Sequence, residues 1–273
     1  MKNFKYIIIG AVLAGVGFSC EMDEDQQVTT LNNIVFEDNF DVNGAPDPTK
    51  WTYNIGTGQN GWGNNEQQYY TDRPENVIVE DGVLKIIARQ ESFQGSRFTS
   101  ARILTQDLFE REYGRFEARI KLPWGQGIWP AFWLLGEDSD GAIWPQIGEI
   151  DIMEYKGQEP NVVHGSAHMP GNFAGSPITK TYTFENDRLD TDFHIYGIEW
   201  SPTRINYYVD DILYQSITPD DMEDDEASEW VFNDGREMFM ILNVAVGGSF
   251  VGAPGENTVY PQTMEVDYVR VYE

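Results

Sequence analysis

From Ile34 to the C-terminus, apolar and polar positions alternate over short runs separated by turn residues. "NVIVEDGVLKIIAR" reads as two strands joined at Asp81-Gly82, a strong two-residue hairpin signal. "RFTSARILTQ", "YGRFEARIKLP", "IWPAFWLLG", "GEIDIMEY", "NVVHGSAHM", "FHIYGIEW", "RINYYVDDILYQSI", "EMFMILNVAV" and "MEVDYVRVYE" follow as further strands. Nothing carries the period of a long amphipathic helix, no fixed repeat emerges, and no linker divides the region. The pattern predicts an all-β sandwich of two antiparallel sheets. The acidic run "TPDDMEDDEASE" reads as a solvated loop with at most a helical turn; it lacks the spacing of a calcium-binding EF-hand loop.

One strand breaks its own period. In "GEIDIMEY", Glu149 and Asp151 share a face, whereas Glu154 has the opposite parity. One extra residue between Asp151 and Glu154, a β-bulge, restores Glu154 to that face. The backbones of Glu149 and Glu154 are then about 13 Å apart. A retaining glycosidase needs its carboxyl groups about 5–5.5 Å apart, so the side chains must lean together over a concave strand. Clustered carboxylates split their pKa values, leaving one ionised and another protonated. That supplies a nucleophile and an acid. On spacing alone, a regular strand with Glu154 turned away accounts for the pattern equally well.

The flanking residues favour the clustered arrangement. "IWPAFWLLG" puts Trp129, Ala131 and Trp133 on one face, with a small residue between two flat indoles, as a sugar-stacking platform requires. "GWGNNEQQYYT" adds Trp62, Asn64, Asn65, Glu66 and Gln67 in a glycine-broken loop suited to sugar hydroxyls. His164 and His168 share a parity, but no third ligand with sensible spacing accompanies them, so a metal pair is set aside.

Composition adjusts this picture modestly. The 273 residues include 14% aromatics with 8 Trp, and 26 Gly, which suits a turn-rich β protein. The formal net charge of −27 excludes nucleic acid and anionic lipid as natural partners and disfavours a sulfated substrate. The start, "MKNFK" then "YIIIGAVLAGVGF", predicts an export signal over residues 1–19, with an apolar run too short for a membrane span. The lone cysteine, Cys20, sits where a bacterial lipoprotein is cleaved and lipidated, although Gly17 is small for that motif. Residues 20–33 read as an acidic tether, resembling the surface-export signal of bacterial lipoproteins. The expected location is the outer membrane or cell surface through a lipid anchor, or otherwise secretion.

At this point the residues resemble a family. "GEIDIMEY" is similar to the E-x-D-x-x-E signature of glycoside hydrolase family sixteen. "GWGNNEQQYYT", "YGRFEARIKLPWGQGIWPAFWLLG", "VVHGSAHMPG", "DFHIYGIEWSP", "LNVAVGG" and "VDYVRVY" resemble its laminarinase branch in the same order, covering residues 34–273. The resemblance implies a β-jelly-roll sandwich with a concave cleft and retaining endo-hydrolysis of β-1,3-glucan, with mixed-linkage β-1,3-1,4-glucan as a further substrate. It implies Glu149 as nucleophile, Glu154 as acid/base and Asp151 as their helper. It also implies Trp129, Trp133, Asn65, Arg73, His168 and Phe250 as sugar contacts. No catalytic cofactor is implied. A structural calcium on the convex face is, at Glu37, Gly82 and Asp267. A monomer acting on polysaccharide is expected.

Departures remain. Phe250 stands where laminarinases often carry Trp, Trp144 and Ile147 are bulky ahead of the signature, and the acidic loop is long. A galactan hydrolase of the same family and a non-catalytic glycan-binding protein are the alternatives. The "GWGNNEQQYYT" loop weighs against the first and the intact acid trio against the second.

Overall fold

Residues 31–185 and 188–273 are described by a computed structural model. In chain order the strands are β1 (Ile34–Asp38), β2 (Thr52–Tyr53), β3 (Gln68–Tyr70), β4 (Val77–Glu80), β5 (Val83–Phe93), β6 (Ser96–Ser100), β7 (Arg102–Leu104), β8 (Glu110–Arg111) and β9 (Gly114–Lys121). They continue as β10 (Ile128–Gly136), β11 (Glu149–Tyr155), β12 (Val162–His168), β13 (Ile178–Thr183), β14 (His194–Ser201), β15 (Arg204–Val209), β16 (Ile212–Ile217), β17 (Met238–Val246) and β18 (Gln262–Tyr272). One sheet runs β16-β15-β14-β9-β18-β5-β6-β3, with β1 beside β18 and β4 beside β5. The other runs β13-β12-β11-β10-β17-β7-β2, with β8 beside β17. This is the predicted jelly-roll sandwich.

Local chemistry explains the turns. Asp81 and Gly82 both have positive φ (56° and 79°), the conformation that matches a two-residue turn to strand twist. Asp210 and Asp211 do the same between β15 and β16. Apolar residues of both sheets, among them Ile86, Phe116, Ile120, Phe132, Leu242 and Val266, meet in one buried core. The strands of the second sheet are apolar on their other face as well. There Phe239 and Ile241 pack with Trp133, and Ala245 with Trp129, in two smaller clusters.

Three details differ from expectation. The pairing is antiparallel throughout except β3 with β6, which run parallel. The stretch "RFTSARILTQ" is not one strand: it breaks at Ala101, so that β6 belongs to one sheet and β7 to the other. Strand β13 had no sequence signal because its outer positions are largely exposed. Among the described residues the helical turns are Gly61–Asn65 and Pro219–Asp221, the latter inside the acidic loop with Thr218 and Asp221 closing a capping box. The export signal, Cys20 and most of the tether lie outside the described residues.

Candidate active site

The bulge exists. On the β12 side, Asp151 pairs with Ser166 and Glu154 with His164, so three steps on β11 face two on β12. On the β10 side, Trp133 pairs with Asp151 and Phe132 with Met153. Ile150, Ile152, Met153 and Tyr155 all enter the main core, so the extra residue is taken up on the buried side. Burying Ile152 and Met153 is worth about 1.5–3 kcal/mol each, whereas a ladder hydrogen bond is worth about 0.5–1.5 kcal/mol. Packing therefore outweighs the interrupted ladder. Glu149, Asp151 and Glu154 are left on the outer face, beside Trp129, Ala131 and Trp133 of β10.

A backbone contact fixes where this strand begins. A side chain at Gly136 would put its Cβ 1.8 Å from the Ile147 carbonyl oxygen, and Gly136 donates to the Gly148 carbonyl at 3.2 Å. Only glycine lets β10 come this close to the entry of β11.

The three carboxyls differ in surroundings. Burial pushes Glu149 up to about 7, and the charge of Asp151 adds to the rise; His168, Arg102 and a hydrogen bond from Trp144 oppose it. Burial likewise raises Asp151, to about 7. Glu154 is raised well above the usual carboxylate range, by burial first and then by the charge of Asp151. Glu154 thus keeps its proton after Glu149 has lost its own. The Trp129 indole nitrogen donates to Glu154 Oε1 at 3.1 Å.

His168 comes closer to the acids than a sugar contact requires. Its Nε2 is 3.1 Å from Asp151 Oδ2 and 3.7 Å from Glu149 Oε1. These three residues offer donor atoms within 4.8 Å of one another, near enough to share protons or to hold a cation. His164 lies apart from them, against Glu159 at 3.7 Å, and burial lowers its pKa.

Other expected contacts take mixed positions. Trp129 is only 8% exposed, covered by Phe250 with ring centroids 5.1 Å apart, so it presents its nitrogen rather than an open face. Trp133 donates to Asn243 Oδ1 at 2.8 Å and lies under the Arg102 guanidinium at 4.6 Å. Phe250 also meets the His164 ring at 5.1 Å and Lys156 Nζ at 4.7 Å. Asn65 is exposed and donates to Ser249 Oγ at 3.0 Å, tying two rim loops together. Trp144 does wall the cleft: it meets His168 at 6.0 Å and Phe173 edge-on at 5.4 Å, whereas Ile147 is buried. The Arg73 guanidinium bonds to Asn76, Glu91 and Thr99 and stacks over Phe93, bracing a corner between β3, β5 and β6.

The guanidinium whose charge acts on Glu149 is Arg102, which the sequence reading missed. It lies over two indoles, Trp62 at 5.0 Å and Trp133 at 4.6 Å. Asn243 and Tyr70 were missed as well. They form a chain in which Trp133 donates to Asn243, Asn243 to the Tyr70 hydroxyl, and Tyr70 to Glu66. The available signal was a single polar residue inside an apolar strand, Arg102 in "SARIL" and Asn243 in "MILNVAV". Such a residue needs a partner once buried.

The expected calcium ligands are engaged elsewhere. Glu37 Oε1 accepts from Arg270 Nε at 2.8 Å, and Asp267 Oδ2 from Arg119 Nη1 at 2.7 Å. Each carboxylate already has a cationic partner, which an ion at this position must displace.

Comparison with known proteins agrees with this geometry. The family model described as "Glycosyl hydrolases family 16" matches residues 64–270. A beta-glucanase of Rhodothermus marinus is 44% identical, over 100% of this chain and 96% of that protein. A glucan endo-1,3-beta-glucosidase of Cryptopygus antarcticus is 37% identical over 86% of this chain and 90% of that protein. Among solved structures, the catalytic domain of a Thermotoga petrophila endo-1,3-beta-glucanase (laminarinase) superposes with a TM-score of 0.82 at 44% identity, covering 88% of this chain and 97% of that one. With the bulged acid trio, the sandwich and the matched length in agreement, the chain belongs to glycosyl hydrolase family 16 and is a glycoside hydrolase.

Proposed function

We propose that the protein is a retaining endo-β-1,3-glucanase of laminarin type that also accepts mixed-linkage β-1,3-1,4-glucan. The observation that carries this reading is the bulge that sets Glu149, Asp151 and Glu154 on one face, with Glu154 the more strongly protonated glutamate. The Glu149 carboxylate attacks the anomeric carbon while Glu154 gives its proton to the departing glycosidic oxygen. The C–O bond to the leaving sugar breaks and a glycosyl ester on Glu149 forms. Glu154, now ionised, takes a proton from water. The resulting attack releases the sugar with retained configuration and frees Glu149. Asp151, between the two, raises the pKa of each glutamate by its charge, with His168 beside it.

A product time course on laminarin and lichenan, with the anomer of the first product followed by NMR, tests the assignment. Early mixed oligosaccharides of β configuration are expected from laminarin. First products of α configuration, or hydrolysis of agarose but not of either glucan, overturn it.

The proposal includes export with lipidation at Cys20 and a monomeric enzyme. Cys20→Ala is expected to move the protein from the detergent phase to the aqueous phase; unchanged partition refutes the anchor. It also includes a structural calcium held by the Gly82 carbonyl with Glu37 and Asp267, oxygen donors of the type calcium takes. Calcium should raise the melting temperature and EDTA reverse the rise, with Asp267→Asn insensitive to both. Identical melting with and without the ion overturns it.

A further inference from the structure

Trp124 stands in the link between β9 and β10 and is 47% exposed. It lines a cavity of about 170 Å³ with Gln126, Glu256, Asn257 and Thr258. The backbone there is held from several sides. Trp124 N donates to Gln262 Oε1 at 3.0 Å, Thr258 Oγ1 to the Gln126 carbonyl at 2.8 Å, and Gly255 N to the same carbonyl at 3.2 Å. Gly125 N donates to the Gly157 carbonyl at 2.8 Å. Glu256 and Asn257 meanwhile remain exposed. A rigid frame thus holds an open indole beside amide, hydroxyl and carboxylate groups, with no lysine or arginine in the lining.

That combination matches one neutral pyranose. Such a ring has an apolar C–H face, which an indole covers, and a hydroxyl edge, which amides and carboxylates satisfy. The volume is below the roughly 300–1,000 Å³ of pockets that enclose larger ligands, so a single ring fits. The cavity does not include the cleft residues: none of Glu149, Asp151, Glu154, Trp129, Trp133 and Phe250 lines it. The loop at 247–254 touches Trp129 at Gly248 and Gly127 at Pro254.

We infer that the Trp124 cavity is an accessory carbohydrate site that holds one sugar of a polysaccharide whose cleavage takes place elsewhere on the protein. The inference rests on the β-glucan reading for the identity of the sugar, not for the existence of the site. It keeps the enzyme on insoluble or long substrate between cleavage events, an effective-concentration gain that short soluble substrates do not reveal.

The test compares Glu149→Gln with Glu149→Gln/Trp124→Ala for retention on insoluble linear β-1,3-glucan particles. In parallel, wild type and Trp124→Ala are compared for hydrolysis of soluble laminarihexaose. Retention should fall roughly three- to tenfold, while kcat/KM on the hexasaccharide stays within about twofold. Asn257→Ala, which leaves the indole in place, should give a smaller loss of retention. Equal retention with and without Trp124 overturns the site, as does a matching loss on the hexasaccharide, which would put Trp124 in the cleft. Trp124-dependent retention on unrelated apolar particles also overturns it. A wild type that leaves the hexasaccharide intact refutes the glucanase reading instead, and the retention comparison, made on the insoluble polysaccharide the wild type does hydrolyse, then decides the site.

Discussion

The Trp129 indole nitrogen donates to Glu154 Oε1 at 3.1 Å, joining two neighbouring strands at the proposed acid. A residue expected to stack on sugar thus also orients a carboxyl group. Trp129→Phe keeps the packing against Phe250 and removes the donor. The expected result is roughly tenfold lower kcat, the cost of about one hydrogen bond in the transition state. Because that bond lowers the Glu154 pKa, the alkaline limb of the pH profile should also move upward. An unchanged profile would show that the bond has no part in setting Glu154.

Asp151 raises both glutamates by its charge. Asp151→Asn removes that charge, so Glu149 ionises at lower pH and Glu154 loses its proton at lower pH. Both limbs of the kcat/KM profile should shift toward acid together, with kcat reduced roughly ten- to hundredfold. A shift of one limb alone would contradict the shared effect.

Glu149 is costly to the fold at neutral pH. Its pKa is raised from 4.5 to about 7. Between those values the native state holds a proton that the unfolded chain has released, so stability falls as pH rises through the window. The penalty above it is on the order of 3 kcal/mol. Glu149→Gln should therefore melt at a higher temperature than wild type at pH 8, with the difference vanishing below about pH 4.5, while hydrolysis is nearly abolished. Thermal melts at the two pH values check this.

Arg102 lowers the Glu149 pKa by its charge and lies over Trp62 and Trp133. Arg102→Met should move the acid limb of kcat/KM to higher pH. Arg102→Lys restores the charge without the planar stacking, so it should return the limb toward the wild-type position while kcat/KM stays low. Identical profiles for the two variants would mean that the charge does not reach Glu149.

Much of this protein was legible before its structure. Strand positions followed from period-two alternation, and the Asp81-Gly82 hairpin from turn chemistry, because both depend on residues adjacent in the chain. The bulge was legible as one of two readings: the parity of Glu154 conflicted with a shared face, one inserted residue restored it, and the flanking aromatic and polar motifs favoured that reading, which the register confirms. What a residue touches across the sheet was not legible. The approach of His168 to Asp151, Arg102 over its two indoles, and the donor role of Trp129 depend on which strands pair and in what register. So do the parallel β3–β6 pair and the change of sheet at Ala101. The sequence by itself determined most of the strands and the position of the acid trio, since those are local consequences of side-chain alternation; that the three acids share a face was settled by the register of β11 against β12. Only the tertiary structure decided which carboxyl keeps its proton, because that depends on burial and on charges brought in from strands distant in the chain.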